Sequence, residues 1–419
     1  MHILLIGCTG FLGKSIIRHL LIHTSHKVFI AIRPKNNQTI HQRLHSILDE
    51  FGLISDKNRI IPIHIIYDKE RNIIIDSKIK YTLQKKINVI INALADVKFN
   101  RPIRKAVLNN TVTALRWYDF LHTCKRPKKY IYVSSAFVNF HIQQEGVIRE
   151  KIYEPHMNEN NLKNILGGNQ TSIKPYANTY LYSKQLAEIL LLKKKKSISL
   201  IIFRPSIITP AAKYPYPGWG TMQNINNIMF GIATGFIAYW NISVDYCFKY
   251  NTNMIPVDVA AKDCVRCLKI KESFQIRHSC LTGNNPFCMN SVGLYMLTLK
   301  AYQYYKLHPI TINKHTYTPH YPFYIKDNTY IYSVWLILYY LINRYQHGDD
   351  FLKTMKISYR LTTSMNEYLP HFISKKLIFH RSNKDKWFYK DFQQEKSYEM
   401  FIYHLETIIK KDAGLMRML

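Results

Sequence analysis

The chain has 419 residues, 47% of them hydrophobic, so it exceeds one typical domain and can bury a large core. Its 58 basic and 27 acidic residues give a formal net charge of +31, which favours Lys-rich solvated surfaces and attraction to anionic small molecules or lipid headgroups over dedicated nucleic-acid binding. Seven cysteines without paired clusters argue against a disulfide-rich secreted protein and indicate a reducing compartment.

A predicted strand at residues 2–6 leads directly into a glycine-rich turn. The turn has the spacing Gly-x-x-Gly-x-x-Gly and is followed by a helix with apolar periodicity that starts near Lys14. A turn without Cβ atoms lets a pyrophosphate approach the main chain, and the helix N-terminus adds unpaired N–H groups and a positive dipole end. The pattern therefore predicts a dinucleotide-phosphate cradle. The residues expected to bind the cofactor there are Gly7, Thr9, Gly10, Phe11, Leu12 and Gly13.

Short β-branched runs alternate with helical stretches through the first two-thirds of the chain. Near-continuous apolar strands separated by helices are typical of a parallel sheet that is covered on both faces. The fold class predicted is therefore α/β, a doubly wound parallel sheet of Rossmann type with its ligand crevice at the carboxyl ends of the strands. The predicted strands are 2–6, 27–32, 60–66, 88–92, 130–134 and 199–203, and the helices between them include 42–51, 107–124 and 180–194.

Past residue 325 the strand-like alternation fades, and residues 333–344, 347–361 and 397–411 have helical patterns. This indicates two domains, a nucleotide-binding domain with a substrate lobe at 1–325 and a small helical C-terminal domain at 326–419. Two uncharged apolar runs, 228–240 and 330–342, are thirteen residues long, which is short of the ~20 needed to span a bilayer. We therefore expect no transmembrane helix and, because the first strand opens the chain, no signal peptide.

Two cysteines, Cys264 and Cys267, form the only close pair in the sequence. A structural zinc site needs four ligands, and no second pair with comparable spacing exists. Positions i and i+3 share a helix face, so we expect both thiols to pack in the core and predict no metal site.

The strongest catalytic pattern is Tyr180 followed four residues later by Lys184. Residues four apart share one helix face, and an ammonium beside a phenol is expected to lower the phenol pKa toward working pH. Tyr180 would then be a general acid for a carbonyl oxygen. Taken alone, this spacing is common on solvated helix faces.

A second hydroxyl supports the catalytic interpretation. Ser134 ends the predicted strand 130–134 and Ser135 follows it, so a serine lies at the carboxyl edge of the sheet. Ser135, which precedes Ala136 and Phe137, is our choice for polarising a substrate carbonyl. A serine that only caps the strand-to-loop turn is the alternative.

These motifs together resemble the extended short-chain dehydrogenases/reductases, and within them the alcohol-forming fatty acyl-CoA reductases. The Pro-x-Pro-Gly-Trp and Ile-Pro-Val-Asp segments discriminate this group from general sugar-nucleotide epimerases, and residues 387–398 are similar to the family's C-terminal domain. The resemblance spans nearly the whole chain. Its motifs lie at 9–14, 133–139, 149–153, 178–184, 204–207, 215–219 and 255–258.

The resemblance implies roles for individual residues. Ser135, Tyr180 and Lys184 would be the catalytic set, and Lys184 would also hold the nicotinamide ribose. Arg33, after the second strand, would meet the adenosine ribose, where a guanidinium suits the 2′-phosphate of NADPH. A role shared with Lys35 and a surface arginine in a basic protein are the alternatives. The remaining cofactor residues would be Asp68 (adenine), Asn109 (the helix asparagine of the active-site network, with Asn110 as the other register), Pro205 and Ile207.

The activity implied is NADPH-dependent reduction of long-chain fatty acyl-CoA to a fatty alcohol through an aldehyde, as used in wax or ether lipid biosynthesis. The alternatives are another extended short-chain dehydrogenase/reductase acting on a sugar nucleotide, a sterol or a carrier-bound thioester, and a degenerate reductase that only binds NADP(H). We expect a cytoplasmic protein or one peripheral on the cytosolic face of an anionic membrane. The apolar segment 228–240, with Gly231 and Gly235, would be a helical wall of the acyl tunnel.

Overall fold

The computed structural model describes residues 1–220 except 36, 143–145, 154–156 and 170, residues 253–280, and the backbone of five short strands beyond them. The helices predicted at 333–344, 347–361 and 397–411 lie outside the described residues. So does most of the predicted tunnel segment, including Gly231 and Gly235, but its last two residues, Tyr239–Trp240, form a strand rather than the end of a helix.

The strands are short, and in the central sheet all except the two edge strands, β3 and β13, are almost entirely buried. They are β1 His2–Ile6, β2 Lys27–Ile32, β3 Ile60–His64, β4 Ile66–Tyr67, β5 Ile73–Ile74, β6 Val89–Asn92, β7 Lys129–Val133, β8 Gly146–Ile148, β9 Ser199–Pro205, β10 Ile207–Thr209, β11 Tyr239–Trp240, β12 Met254–Pro256, β13 Phe274–Ser279, β14 Ile310–Ile312, β15 His315–Tyr317, β16 Tyr324–Ile325 and β17 Leu377–Phe379.

The helices lie between these strands, and several begin at side-chain caps. The helices are α1 Phe11–His23, α2 Ile40–Glu50, α3 Ser77–Lys86, α4 Ile103–Val107, α5 Thr113–His122, α6 Glu159–Leu166, α7 Thr179–Lys194 and α8 Val257–Arg266. Thr39 and Gln42 form a capping box at the start of α2, and the Asn178 side chain accepts the amide of Leu181 at the start of α7. These caps satisfy amide groups that the first helical turn leaves without partners.

The central sheet has seven parallel strands in the order β13-β9-β7-β6-β1-β2-β3. The chain builds outward from β1 to β3 on one side and then returns to β6 on the other side. The strand order therefore reverses between β1 and β6, and in open α/β sheets ligands bind at such a switch point, beyond the carboxyl ends of the strands. The predicted doubly wound α/β fold is confirmed.

Two hydrophobic clusters cover the two faces of this sheet. One face packs α1, α2 and α8 against side chains such as Ile3 and Leu5 of β1. The other packs α3, α5 and α7 against the alternate residues Leu4 and Ile6. Successive strand residues point to opposite faces, so a strand buried on both sides must be apolar throughout, as β1 is.

Most predicted elements agree with the structure to within a few residues. The strand predicted at 60–66 ends at His64, and the helix predicted at 107–124 is interrupted by a π-helical turn, Leu108–Val112. β13, a seventh strand of the central sheet, was not among the predicted strands. Cys264 and Cys267 are both buried at the end of α8, so the prediction of core packing is confirmed.

Within the described part of the chain, no helix combines the length and the apolar character needed to cross a bilayer.

Candidate functional site

The glycine turn lies directly after β1, at the switch point of the sheet. Gly7 has a φ of +81°, a left-handed conformation that favours glycine, and the Gly10 amide donates to the Gly7 carbonyl at 3.1 Å. α1 begins at Phe11, so its first amides follow the turn immediately. The predicted strand, turn and helix are all present.

The three glycines differ in what surrounds them. A Cβ on Gly7 would lie 2.6 Å from the Leu94 amide nitrogen, and a Cβ on Gly13 would overlap the Gly7 carbonyl oxygen. Close backbone packing therefore requires glycine at both positions. Gly10 is exposed, and a Cβ there would meet only the Gly7 carbonyl oxygen, at 3.3 Å. Gly10 thus leaves an open approach to the turn, which fits the pyrophosphate of a dinucleotide.

Helix α7 carries Tyr180 and Lys184 near its N-terminus. The Lys184 side chain is buried, and its ammonium donates to the carbonyl oxygen of Val133 at 2.7 Å, at the carboxyl end of β7. Tyr180 is partly exposed, and its ring lies 6.0 Å from that of Phe99, centroid to centroid. The helix start is therefore held at the carboxyl edge of the sheet, where the glycine turn also lies.

The pKa values of these two groups correct the sequence prediction. Although the residue is partly exposed, the Tyr180 phenol itself lies in buried surroundings, and this desolvation raises its pKa above the ordinary value, whereas we expected Lys184 to lower it. Burial lowers the pKa of Lys184 itself from 10.5 to about 7, so near neutral pH the amine carries only part of its charge. The hydrogen bond of this amine goes to the Val133 carbonyl, and desolvation alone accounts for the raised pKa of Tyr180.

Ser135 follows β7 and begins the short 3₁₀ turn Ala136–Asn139. Its hydroxyl oxygen accepts the Phe137 amide at 3.2 Å, which is the capping role that we kept as an alternative. This bond uses one lone pair, and the hydroxyl proton can still be donated to a carbonyl oxygen. Capping and carbonyl binding are therefore compatible in the same side chain.

The structure brings Asn110, rather than Asn109, against α7. The Asn110 Nδ2 donates to Ser183 Oγ at 2.9 Å, and its Oδ1 accepts the Asp96 amide at 2.8 Å. Asn109 instead donates to the Asp96 carboxylate at 2.7 Å and accepts from Arg71. The π-helical turn that contains both residues rotates Asn110 toward Ser183, between Tyr180 and Lys184.

Asp96 is a functional candidate that sequence reasoning missed. Besides Asn109, its carboxylate accepts from the Arg101 guanidinium at 2.7 Å, which fixes the segment between them. The carbonyl oxygens of Phe99 and Arg101 in turn accept the hydroxyl of Thr179, the first residue of α7. In the sequence, only the position of Asp96 after strand β6, at the carboxyl edge of the sheet, could have indicated this role.

Arg33 lies exposed just after β2, on the side of the turn where the adenosine half of a dinucleotide is expected. The half-buried Arg71 has a pKa lowered by burial and, secondarily, by the charge of Arg33, so the two guanidinium groups lie close enough to repel each other. Arg71 lies over the Tyr67 ring at 5.8 Å. Two neighbouring cations at this position suit an anionic ligand.

Asp68 lies in the loop of the β4–β5 hairpin. Its carboxylate accepts the amide and the side-chain Nδ2 of Asn72, at 2.8 and 2.7 Å, and these bonds lower its pKa. The hydroxyl of the neighbouring Tyr67 accepts the indole N–H of Trp117 at 2.8 Å. The predicted contact of Asp68 with adenine therefore competes with existing bonds to Asn72.

Pro205 and Ile207 lie where the chain leaves β9 and enters β10. Strand β10 pairs in parallel with β12, and β12 leads directly into α8. The side chain of Asp258, in the first turn of α8, accepts the amides of Ala212, Lys213 and Tyr214 at 2.9–3.1 Å. The Ile-Pro-Val-Asp motif therefore shapes the loop that begins just beyond Ile207.

A buried ion pair anchors the segment before α6 to the sheet. Arg204, on β9, pairs with Glu188 of α7 through Nε–Oε1 at 2.9 Å and Nη2–Oε2 at 2.5 Å, and both side chains are fully buried. The remaining nitrogen of Arg204 donates to the Lys151 carbonyl at 3.0 Å. A bidentate pair of this kind fixes α7, β9 and residue 151 relative to one another.

Among the described residues, no group of three or more histidine, cysteine, aspartate or glutamate side chains has the arrangement of a metal site.

Comparison with known proteins identifies relatives of this chain. Over 329 residues the chain is 28% identical to fatty acyl-CoA reductase 1 of Rattus norvegicus, and the match covers 70% of this chain and 60% of that protein. It is 25% identical over 313 residues to the probable fatty acyl-CoA reductase 5 of Arabidopsis thaliana, covering 62% and 61%. The chain spans about 60% of the length of these curated relatives.

A solved structure supports the fold over a wider range. The terminal R domain from the myxalamid PKS-NRPS biosynthetic pathway superimposes with a TM-score of 0.66 at 17% identity, covering 98% of this chain and 91% of that one.

The family model described as male sterility protein, an NAD-binding domain, matches residues 5–264 and thus includes the glycine turn, Ser135, Tyr180 and Lys184. The chain therefore belongs to the male sterility protein family of extended short-chain dehydrogenases/reductases, which bind a nicotinamide cofactor.

Proposed function

We propose that this protein reduces a long-chain fatty acyl-CoA to the fatty alcohol through an aldehyde, with NADPH as the reductant and release of CoA. The observation that carries the proposal is the placement of Tyr180 and Lys184 on the first turns of α7. Lys184 is bonded to Val133, at the end of the strand that precedes Ser135. The similarity to fatty acyl-CoA reductases of animals and plants supports the choice of substrate.

The chain offers a site for each part of the cofactor. The amides of the glycine turn and of the start of α1 would hold the pyrophosphate, because Gly10 leaves the turn open. Lys184 would hold the nicotinamide ribose, beside Pro205 and Ile207. Bound there, the cofactor would supply a hydride to the carbonyl carbon in each of two rounds of reduction.

The preference for NADPH rests on the adenosine side. Arg33 and Arg71 are close enough for their charges to interact, and a 2′-phosphate would relieve their repulsion. An acidic residue at the end of the second strand would instead suit the free ribose hydroxyls of NAD, and this chain has none there.

The protein's own groups would stabilise the reacting oxygen. Ser135 and Tyr180 would donate hydrogen bonds to the thioester carbonyl, so that the negative charge developing on its oxygen is stabilised. The tetrahedral intermediate expels the CoA thiolate and leaves an aldehyde. In the second round Tyr180 would give its proton to the aldehyde oxygen, which yields the alcohol. A phenol with a raised pKa keeps this proton available at neutral pH.

The strongly basic composition supports attraction of the polyanionic CoA and of an anionic membrane surface from which acyl substrates partition. We propose a peripheral or cytoplasmic location on this ground. The division into a reductase domain at 1–325 and a helical domain at 326–419 is part of the same proposal.

The test is an assay of purified protein with NADPH and palmitoyl-CoA, in which NADPH loss is followed optically and the products are identified by gas chromatography. The proposal predicts hexadecanol, with free CoA released in equal amount and two NADPH consumed for each alcohol. A parallel arm offers palmitoyl-pantetheine, which lacks the adenosine part of CoA, and UDP-glucose. Turnover of UDP-glucose alone would assign the protein to a different substrate class.

A further inference from the structure

The carboxylate of Glu50, the last residue of α2, binds two partners from distant parts of the sequence. Its Oε2 accepts the ammonium of Lys14 at 2.6 Å, and its Oε1 accepts the indole N–H of Trp219 at 2.9 Å. Lys14 belongs to the first turn of α1, and Trp219 ends the Pro-Tyr-Pro-Gly-Trp segment. One side chain therefore joins the cofactor turn to the segment that discriminates this group of reductases.

Two aromatic rings pack against Trp219. Its ring centroid lies 5.2 Å from that of Phe11 and 5.2 Å from that of Phe51, and only 1% of the residue is exposed. Phe11 is the first residue of α1, within the glycine turn that would bind the pyrophosphate. An indole packed against this ring limits the positions that the first turn of α1 can take.

The loop that ends at Trp219 is also closed at its base. The Ala211 amide donates to the Trp219 carbonyl at 2.8 Å, and the Gly218 amide donates to the Ala211 carbonyl at 2.8 Å. Asp258 binds three amides within the same loop. Because the loop is braced internally, the bond between Trp219 and Glu50 sets the position of the whole loop rather than of one side chain.

We propose that Glu50 is a positioning residue that acts through Trp219. It fixes the loop at 211–219 against the glycine turn, so that the cofactor cradle and this loop keep a fixed position relative to each other. The effect on acyl-CoA turnover rests on the proposed function. The effect on cofactor binding does not, because the glycine turn is present whatever the substrate.

Four variants separate the bond to Trp219 from the ion pair with Lys14. Glu50→Ala removes both interactions, and Glu50→Gln keeps an acceptor for the indole but loses the charge. Trp219→Phe keeps the aromatic packing and removes the N–H donor, and Lys14→Met removes only the ion pair. Asp119→Asn is the matched control, since Asp119 forms a 2.7 Å surface pair with Lys194 at the far end of α7.

NADPH dissociation constants are measured from nicotinamide fluorescence without acyl substrate, together with melting temperatures. A hydrogen bond to a charged acceptor contributes enough that Glu50→Ala and Trp219→Phe should each weaken NADPH binding about five- to tenfold. Glu50→Gln should stay within about threefold of the parent, and Lys14→Met within about twofold, because half-exposed ion pairs contribute little. Asp119→Asn should bind as the parent does.

The double variant Glu50→Ala/Trp219→Phe decides whether the two residues act as a unit. We expect it to bind NADPH no more than about twofold worse than either single variant, because contacting residues have non-additive effects. The inference would be overturned if the losses of NADPH affinity in the two single variants multiplied in the double variant, or if Trp219→Phe bound NADPH as the parent does. Lowered melting temperatures with unchanged dissociation constants would also overturn it, because they would indicate a purely structural role.

The kinetics of palmitoyl-CoA reduction are measured separately. We expect a raised KM for palmitoyl-CoA in Glu50→Ala that Glu50→Gln largely restores. If the unmodified protein binds NADPH but does not turn over palmitoyl-CoA, the proposed function fails while the binding results still decide the role of Glu50.

Discussion

The side-chain ammonium of Lys184 donates a 2.7 Å hydrogen bond to the main-chain carbonyl of Val133, the last residue of β7. This bond joins the helix that carries Tyr180 to the strand that leads into Ser135. Asn110 and Thr111 add bonds from the π-helical turn to Ser183, one helical turn beyond Tyr180. These bonds hold the start of α7, which carries Tyr180 and Lys184, against the end of the strand that leads into Ser135.

The buried amine of Lys184 should make stability depend on pH. Its pKa falls from 10.5 in the unfolded chain to about 7 in the folded protein, so between these values the unfolded chain binds the extra proton. The free energy of unfolding should therefore rise with pH across this window, and Lys184→Met should lose that part of the rise. Urea unfolding of both proteins from pH 6.5 to 10 checks this, and parallel pH dependences would refute the buried, depressed pKa.

Gly10 and Gly13 form a matched pair for testing the cradle. Gly13→Ala should destabilise the protein strongly, because its Cβ would overlap the Gly7 carbonyl oxygen. Gly10→Ala should fold normally, since the new Cβ meets only that oxygen at 3.3 Å, but should weaken NADPH binding by obstructing the turn. Thermal unfolding and NADPH titration measure the two effects. Unchanged NADPH affinity in Gly10→Ala would mean that the cofactor does not approach this turn.

Asn109 and Asn110 test the register of the active-site network. Asn110→Ala removes the bonds to Ser183 and to the Asp96 backbone, so we expect kcat to fall about tenfold or more, the equivalent of one lost hydrogen bond to the catalytic helix. Asn109→Ala should affect kcat less, because its partners are the Asp96 carboxylate and Arg71. Steady-state kinetics of both variants decide. A larger loss of kcat in Asn109→Ala than in Asn110→Ala would show that Asn109 is the residue of the active-site network.

Arg33 tests the choice of cofactor. Arg33→Ala should reduce kcat/KM for NADPH by about tenfold, the equivalent of one charge-assisted hydrogen bond, and leave kcat/KM for NADH nearly unchanged. Lys27→Ala is the control, because Lys27 is also exposed but lies at the opposite end of β2. Equal losses with both cofactors would show that Arg33 does not recognise the 2′-phosphate.

The sequence was sufficient to predict features that depend on local chain geometry. The glycine turn was recognisable because the backbone at Gly7 and the packing at Gly13 exclude other side chains. The sequence therefore has glycine at these positions, and their spacing identifies the turn. The near-continuous apolar runs of β1 and β2 likewise indicated a sheet buried on both faces.

Features that depend on tertiary packing were missed or misjudged. The register at Asn110 follows from a π-helical turn, which a regular helical period cannot reveal. The raised pKa of Tyr180 follows from burial of the phenol, which the spacing of Tyr180 and Lys184 could not reveal. The contact between Glu50 and Trp219 joins residues 169 positions apart, and no pattern in the intervening sequence indicates it.

The central claim is that the Tyr180 phenol donates a hydrogen bond and then a proton to the reacting oxygen. The most direct measurement compares Tyr180→Phe with the parent protein in NADPH titration and in single-turnover reduction of palmitoyl-CoA. We predict a loss of at least about 10²-fold in the rate of reduction, in the range of general acid catalysis, with the NADPH dissociation constant unchanged. Reduction by Tyr180→Phe at the parent rate would contradict the account.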